Sequence, residues 1–133
     1  MSEINCGEIV FDRILIEEIK QIKDIRIDFV VRESPIINDA TMADARYVSL
    51  DRVANLISSG SDAPATILAQ CSAQMLKLYH AADTIIAKGQ GNYETLADAN
   101  KMIFFIFKAK CPVVAQHVGC EVGDILLIGP RRA

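Results

Sequence analysis

The stretch that decides the fold is residues 84–92, which run Thr-Ile-Ile-Ala-Lys-Gly-Gln-Gly-Asn. Its first four residues are β-branched or small and apolar, which is typical of a short buried strand. Gly89 and Gly91 then punctuate the chain, before a segment at residues 93–97 that is predicted to be a short helix. A strand that passes through a glycine turn into a helix is the repeating unit of an α/β fold.

Further helices and strands are predicted on both sides of this stretch. Apolar residues at helical spacing predict helices over residues 7–22 and 66–82, and Thr41 with Asp44 forms a capping pair for a short helix over residues 41–46. Other apolar runs are candidate strands, at residues 27–31, 53–57, 102–107, 112–115 and 124–128.

The candidate strands lack apolar/polar alternation, which predicts that they are buried on both faces between two layers of helices. The sequence therefore predicts one α/β domain over residues 1–133, with a three-layer Rossmann-like fold and a mostly parallel sheet.

Composition sets broad limits on function. The length of 133 residues fits one domain, and a net charge of -3 without a long basic run gives no reason to expect a nucleic-acid partner. No apolar stretch approaches the ~20 residues of a membrane span, so no membrane partner is expected either. The N-terminus lacks a secretory pattern and the cysteines form no Cys-x-x-Cys pair, so we expect a reduced protein in the cytoplasm.

The loops that follow strands are the candidate sites, because ligands in such sheets bind beyond the carboxyl ends of the strands. After the strand at residues 84–87, two glycines expose backbone N–H groups, Lys88 adds a positive charge, and a helix begins just beyond. These are the parts of a phosphate cradle. The alternative is a glycine-rich turn between strand and helix, with a solvated lysine.

Two further loops offer oxygen ligands. Asn38 and Asp39 follow the strand at residues 27–31, and a carboxylate beside an amide suits Mg²⁺ or Mn²⁺, although an Asx turn explains the same pair. Asn5 and Glu8 flank the start of the first helix, where they face a metal or phosphate, or else serve as its cap and its dipole partner.

The loop at residues 60–64 is a further candidate of this kind. Ser61 or Asp62 is expected either to contact a ligand or to cap the helix that follows. His80 and His117 show no cysteine or carboxylate partner of a catalytic pair, and a structural role is expected for both.

Four segments carry a resemblance to a known family. They are Asn-Cys-Gly-Glu-Ile-Val-Phe-Asp (5–12), Ile-Asn-Asp-Ala-Thr (37–41), Gly-Ser-Asp-Ala-Pro (60–64) and Ala-Lys-Gly-Gln-Gly-Asn-Tyr-Glu (87–94). Their order and intervals resemble those of the metal-dependent damage-control phosphatases, a family first described as a domain of unknown function and related to carbohydrate phosphatases. The resemblance covers nearly the whole chain.

The resemblance implies a divalent metal, which is Mn, Co, Ni or Mg, at the carboxyl ends of the strands. It also implies hydrolysis of small phosphorylated metabolites such as sugar phosphates. By position in the family motifs, Asn5 and Asp39 are the implied metal ligands, and Asp39 and Lys88 are the implied catalytic residues. The implied ligand-binding residues are Asn38, Asp62, Lys88, Gly89, Gly91, Asn92 and Glu94.

Two features depart from the family pattern. Ile4 stands where the family has the first carboxylate of an Asp-Asn pair, and an isoleucine cannot bind a hard cation. The family also has a helical region and a strand before this pair, whereas only residues 1–3 precede it here. We therefore expect that the chain resembles the C-terminal metal-binding core of the family and is truncated at its N-terminus. A cloning scar, a mistaken start site or a naturally shortened protein would each explain the truncation.

Two functional hypotheses follow. The first is a metal-dependent phosphatase weakened by Ile4. The second is a catalytically inactive domain that binds a phosphate ligand or forms a homo-oligomer through an exposed sheet edge.

Overall fold

Helices and strands alternate along the chain, as the sequence predicts. The computed structural model describes residues 7–35 and 39–130. The helices are α1 (Ile9–Ile22), α2 (Met42–Tyr47), α3 (Ala73–Ala81), α4 (Gln90–Leu96) and α5 (Pro112–Val118). The strands are β1 (Asp28–Val31), β2 (Asn55–Ser58), β3 (Ile85–Lys88), β4 (Ile103–Lys108) and β5 (Ile125–Ile128).

The strands of the described segments form two groups. β1 pairs with β2 in parallel, and β3 pairs with β4 in parallel, with Ile85 opposite Ile103. β5 then runs antiparallel to β4, with Lys108 opposite Ile125. The predicted α/β class with a mostly parallel arrangement is confirmed.

Each group of strands has its own hydrophobic core. In the first, Ile9 and Ile16 of α1 pack against Phe29 and Val31 of β1 and against Leu50, and all five are at least 90% buried. In the second, one face of β3 and β4 packs against α3, α4 and α5, through Tyr79, Ile85, Ala87, Tyr93, Leu96, Ile103, Phe105, Phe107 and Val114.

Helices lie on both sides of β3. Ala87 belongs to the core beneath α4. Its neighbour Lys88 points to the opposite face, because side chains alternate along a strand, and there it contacts Asp12 of α1. α1 and α4 therefore flank β3 from opposite faces.

The prediction of one helix over residues 66–82 is wrong for the first half of that range. α3 begins only at Ala73, and Leu68–Gln70 forms a separate 3-10 turn. The reason is Ser72, whose extended backbone ends the preceding segment and whose hydroxyl accepts a hydrogen bond from the Met75 N–H. A serine cap of this kind starts a helix and is not part of its interior.

The apolar run at residues 112–115 is a helix and not a strand. Pro112 occupies the first position of α5, where the missing N–H costs nothing. Gly119 ends the helix with a left-handed backbone at φ 78°. The Gln90 side-chain oxygen accepts hydrogen bonds from the N–H groups of Lys110 and Cys111 just before the helix.

The prediction that every strand is covered on both faces is wrong for β5. Ile125 is 80% exposed and Leu127 is 70% exposed, so one face of this edge strand is largely open to solvent. Phe11 on α1 is also 71% exposed. None of the helices in the described ranges is long and apolar enough to cross a membrane.

Candidate functional site

Gly89 makes the turn that follows β3. Its backbone has φ 91° and ψ 147°, a region open to glycine but strained for any L-residue with a side chain. α4 starts immediately after it at Gln90, so Gly91 and Asn92 lie inside the helix, where the sequence had predicted a longer loop.

Asn92 ties this turn to another part of the chain. Its side-chain Nδ2 donates to the Lys88 carbonyl at 2.7 Å, and its Oδ1 accepts from the Thr66 N–H at 2.9 Å. The residue is fully buried. Both polar atoms of the amide are thus engaged within the protein, and the predicted contact between Asn92 and a ligand stays a prediction.

The Lys88 side chain forms an ion pair across the structure. Its Nζ lies 2.7 Å from Asp12 Oδ1, and the two residues are 76 positions apart. The Lys88 side chain is 21% exposed and that of Asp12 is 5% exposed. The Lys88 side chain is therefore partly open to solvent, whereas Asp12 is enclosed.

The pKa of the Asp12 carboxyl is raised by its environment. Burial raises the pKa of the Asp12 carboxyl, against the lowering effect of the hydrogen bond and charge of Lys88. Its second oxygen, Oδ2, is buried and accepts no hydrogen bond from the described residues. Asp12 is not among the site residues predicted from the sequence, although its spacing from Ile9 and Ile16 places an acid on the buried face of α1.

We expect the substitution Asp12→Asn to change the pH dependence of stability. The folded-state pKa lies above the 3.8 of an unperturbed aspartate, so the folded protein retains a proton in a pH range where the unfolded chain has lost it. Stability therefore falls as the pH rises through this range, and the variant should lack that loss.

Urea denaturation at several pH values checks this expectation. The free energy of unfolding of Asp12→Asn, relative to the original protein, should improve from about pH 4 towards pH 7. A difference that stays constant over this range contradicts the prediction.

Asp39 is held by a buried arginine. Arg32, directly after β1, is 4% exposed, and its Nε donates to Asp39 Oδ2 at 3.0 Å. The Arg32 N–H also donates to the Ala40 carbonyl, which aligns the Asp39 segment with the end of β1. The sequence offered a weak signal for Arg32, a cation placed immediately after two valines of a strand.

Arg32 also holds the neighbouring loop. Its two terminal nitrogens donate to the carbonyls of Pro64 at 2.8 Å and Ala65 at 3.3 Å. Within this loop, Gly60 has φ +67°, and a Cβ there would lie 2.6 Å from Ser72 Cβ. Glycine is therefore required where the loop passes α3.

Hydrogen bonds, together with the Ala65–Thr66 peptide bond, connect Asp39 with the backbone of Lys88. Asp39 contacts Arg32, Arg32 binds the carbonyl of Ala65, and the next residue, Thr66, donates to Asn92. Asn92 in turn holds the carbonyl of Lys88. Loops that lie far apart in sequence are thus joined in the structure.

The remaining predicted site residues are placed as follows. Asp62 is exposed and its Oδ1 accepts from the Ser34 hydroxyl at 2.6 Å. Glu94 is exposed on α4 and accepts from Gln90. Asn5 and Asn38 lie outside the described residues.

The donor set fits a hard divalent cation only in part. Within residues 7–35 and 39–130, no cluster of three or more His, Cys, Asp or Glu side chains is suited to a metal ion. Asp39 supplies a carboxylate oxygen of the kind that Mg²⁺ and Mn²⁺ prefer, and its Oδ2 is already oriented by Arg32. An amide oxygen is also a hard ligand, and the predicted amide ligand, Asn5, is not among the described residues.

Comparison with known proteins agrees with the resemblance in the sequence. Residues 5–126 match the model of the damage-control phosphatase ARMT1-like domain. An uncharacterized protein of Methanocaldococcus jannaschii is 48% identical over 128 residues, which are 93% of this chain and 42% of that protein. A damage-control phosphatase of Pyrococcus horikoshii is 42% identical over 123 residues, which are 92% of this chain and 43% of the relative.

A solved structure supports the fold. The crystal structure of a DUF89 family protein from Pyrococcus horikoshii superimposes with a TM-score of 0.92 at 39% identity. The match covers 98% of this chain and 46% of that structure. The chain thus spans less than half the length of these relatives.

Proposed function

The chain belongs to the damage-control phosphatase ARMT1-like domain family, and on that premise we propose that its Lys88 and Asp39 loops form part of a metal-dependent phosphatase site. The substrates we propose are small phosphate monoesters such as sugar phosphates. The observation that carries the proposal is the set of hydrogen bonds that links Asp39 to Arg32, Arg32 to the Ala65 carbonyl, the Thr66 N–H to Asn92, and Asn92 to the Lys88 carbonyl. It supports a single site, because it fixes two chemically suited loops relative to each other.

We assign each side chain a role according to its chemistry. Lys88 binds the phosphoryl oxygens, since an ammonium group is a compact positive charge with three N–H donors. Asp39 and Asn5 would hold the divalent cation, while Arg32 keeps the Asp39 carboxylate in place through Oδ2. A divalent metal, of which Mn, Co, Ni and Mg are the candidates, polarises the phosphoryl group when bound. Asp62, Gly89, Gly91 and Glu94 remain predicted ligand contacts.

Ile4 is expected to weaken this site. The family motif has a carboxylate at this position, and a carboxylate contributes both charge and a hard oxygen to a divalent cation. With Asp39 as the remaining motif carboxylate, we propose that the metal is held weakly until a substrate phosphate adds its own oxygens.

The substitution Lys88→Gln tests the phosphate-binding role. We expect kcat/KM for phosphate release from sugar phosphates to fall by about 10- to 100-fold, because a charge-assisted hydrogen bond is worth ~1.5–3 kcal/mol. Lys108→Gln, an exposed lysine at the end of β4, is the matched control and should leave kcat/KM unchanged.

Loss of folding must be separated from loss of binding in this test. Removing Lys88 alone leaves the buried Asp12 carboxylate without its ion-pair partner. The double variant Asp12→Asn/Lys88→Gln removes both charges and should fold, so its kcat/KM should remain low. If the folded double variant hydrolyses sugar phosphates as fast as the original protein, Lys88 does not bind the substrate.

A second candidate function rests on Ile4 and on the exposed apolar side chains. An inactive domain that binds phosphate ligands or oligomerises would explain the missing carboxylate together with the exposure of Phe11, Ile125 and Leu127. Sedimentation analysis with and without inorganic phosphate tests it. A phosphate-binding homo-oligomer without turnover supports this candidate, and an active monomer excludes it.

The remaining partner and location assignments stay proposals. We propose a small phosphorylated metabolite as the partner, homo-oligomer formation through an exposed sheet edge, and the cytoplasm as the location.

A further inference from the structure

We propose that Asp12 is a positioning residue for phosphate binding, which acts by fixing the direction of the Lys88 ammonium group. This inference rests on the proposed function, and it adds to that function a residue that does not itself touch the substrate. Its basis is the contact between the Lys88 Nζ and the buried Asp12 Oδ1 at 2.7 Å.

The geometry suits this role because Asp12 is buried on a helix that packs in the core. It lies on the buried face of α1 between Ile9 and Ile16, which pack in the core against β1. Lys88 ends β3 and has a long side chain with many accessible rotamers. A bond to a fixed acceptor restricts that freedom before a ligand arrives, and such preorganisation saves part of the entropy that binding would otherwise lose.

One hydrogen bond to Asp12 leaves two donors on the ammonium group. An ammonium carries three N–H groups, and the contact with Oδ1 uses one of them. The Lys88 side chain is partly exposed, so the other two are able to reach a phosphate from the solvent side. Asp12 and the phosphate therefore bind the same nitrogen from different directions.

A purely structural role explains Asp12 poorly. Its Oδ2 is buried and lacks a hydrogen-bond donor among the described residues, a state that costs stability. Buried ion pairs are in general no more stabilising than apolar residues that fill the same space. An apolar residue between Ile9 and Ile16 would serve packing at least as well, whereas an acceptor is needed to orient Lys88.

The test measures the dissociation constant of inorganic phosphate by calorimetry, at fixed Mn²⁺, for matched variants. Asp12→Ala and Asp12→Val remove the acceptor, and Val also fills the apolar space, so that a folded variant is available if Ala unfolds. Asp12→Asn keeps an oxygen for Lys88 and removes the charge. Glu18→Ala, an exposed acid on the same helix, is the control.

We expect Asp12→Ala and Asp12→Val to weaken phosphate binding by about tenfold, which is ~1.4 kcal/mol. Asp12→Asn and Glu18→Ala should stay within about twofold of the original protein, because neither removes the acceptor of Lys88. Asp12→Val/Lys88→Gln should bind phosphate no more weakly than Lys88→Gln alone, since a residue that acts through Lys88 has no effect without it. Mn²⁺ affinity should not change in any of these variants.

Each contrary outcome has its own meaning. Absence of phosphate binding by the original protein overturns the proposed function and this inference with it. If the original protein binds phosphate and the folded Val variant binds it equally well, only the role of Asp12 is overturned. Equal weakening by Asn and by Val also overturns it, because positioning through the acceptor oxygen would then be wrong.

Discussion

Asp39→Asn is expected to lower metal-dependent phosphate release by about 100-fold or more, since metal stabilisation of the transition state is worth several kcal/mol. In the proposed site Asp39 is the remaining motif carboxylate, and asparagine would leave the cation with amide oxygens alone. The variant should fold with some loss of stability, because the asparagine Oδ1 still accepts from the Nε of Arg32 but no longer balances its buried charge. The loss should therefore appear in turnover and in Mn²⁺ affinity, and not in solubility.

A matched acid controls for the loss of negative charge. Asp51 is exposed on the 3-10 turn Leu50–Arg52, and Asp51→Asn should leave phosphate release unchanged. Comparable losses in both variants would point to a general electrostatic effect. Full activity of Asp39→Asn would remove Asp39 from the proposed metal site.

Arg32→Met is expected to have the largest effect on stability. Arg32 is 4% exposed and joins Asp39 to the carbonyls of Pro64 and Ala65. Methionine fills similar space but leaves these acceptors without a donor, and breaking a buried ion pair from one side costs about 3–5 kcal/mol. We expect a loss at the lower end of this range, about 3 kcal/mol, because Asp39 retains 18% exposure and gains some hydration.

Urea denaturation followed by circular dichroism measures this loss. Arg52→Met, at an exposed arginine, is the control and should change the free energy of unfolding by less than about 0.5 kcal/mol. If Arg32→Met is as stable as the control, the hydrogen bonds of Arg32 do not stabilise the two loops relative to each other.

Features set by a few neighbouring residues were predictable from the sequence. Thr41 and Asp44 form the expected capping box at the start of α2, because each side chain bonds the backbone of the other. The β-branched run of β3 and the glycine turn after it also lie where the sequence placed them. Such local signals need no knowledge of the tertiary structure.

Features that depend on distant residues were not predictable. Residues 66–72 have helical spacing, yet Thr66 is bound by Asn92 and Ser72 caps a new helix. The proposed role of Asp12 likewise depends on its ion pair with Lys88, which lies 76 positions away. A single sequence without structure shows neither contact. Periodicity on α1 could only have marked Asp12 as an acid on a buried face.

The most direct test of the account is phosphate release by the purified chain from a panel of sugar phosphates. Each ester is assayed with Mn²⁺, Co²⁺, Ni²⁺ or Mg²⁺, and again after a chelator has removed the metal. We expect release of phosphate from at least one ester, and this release should require a divalent metal and stop on chelation. Absence of release with every ester and metal, or release that persists unchanged after chelation, would contradict it.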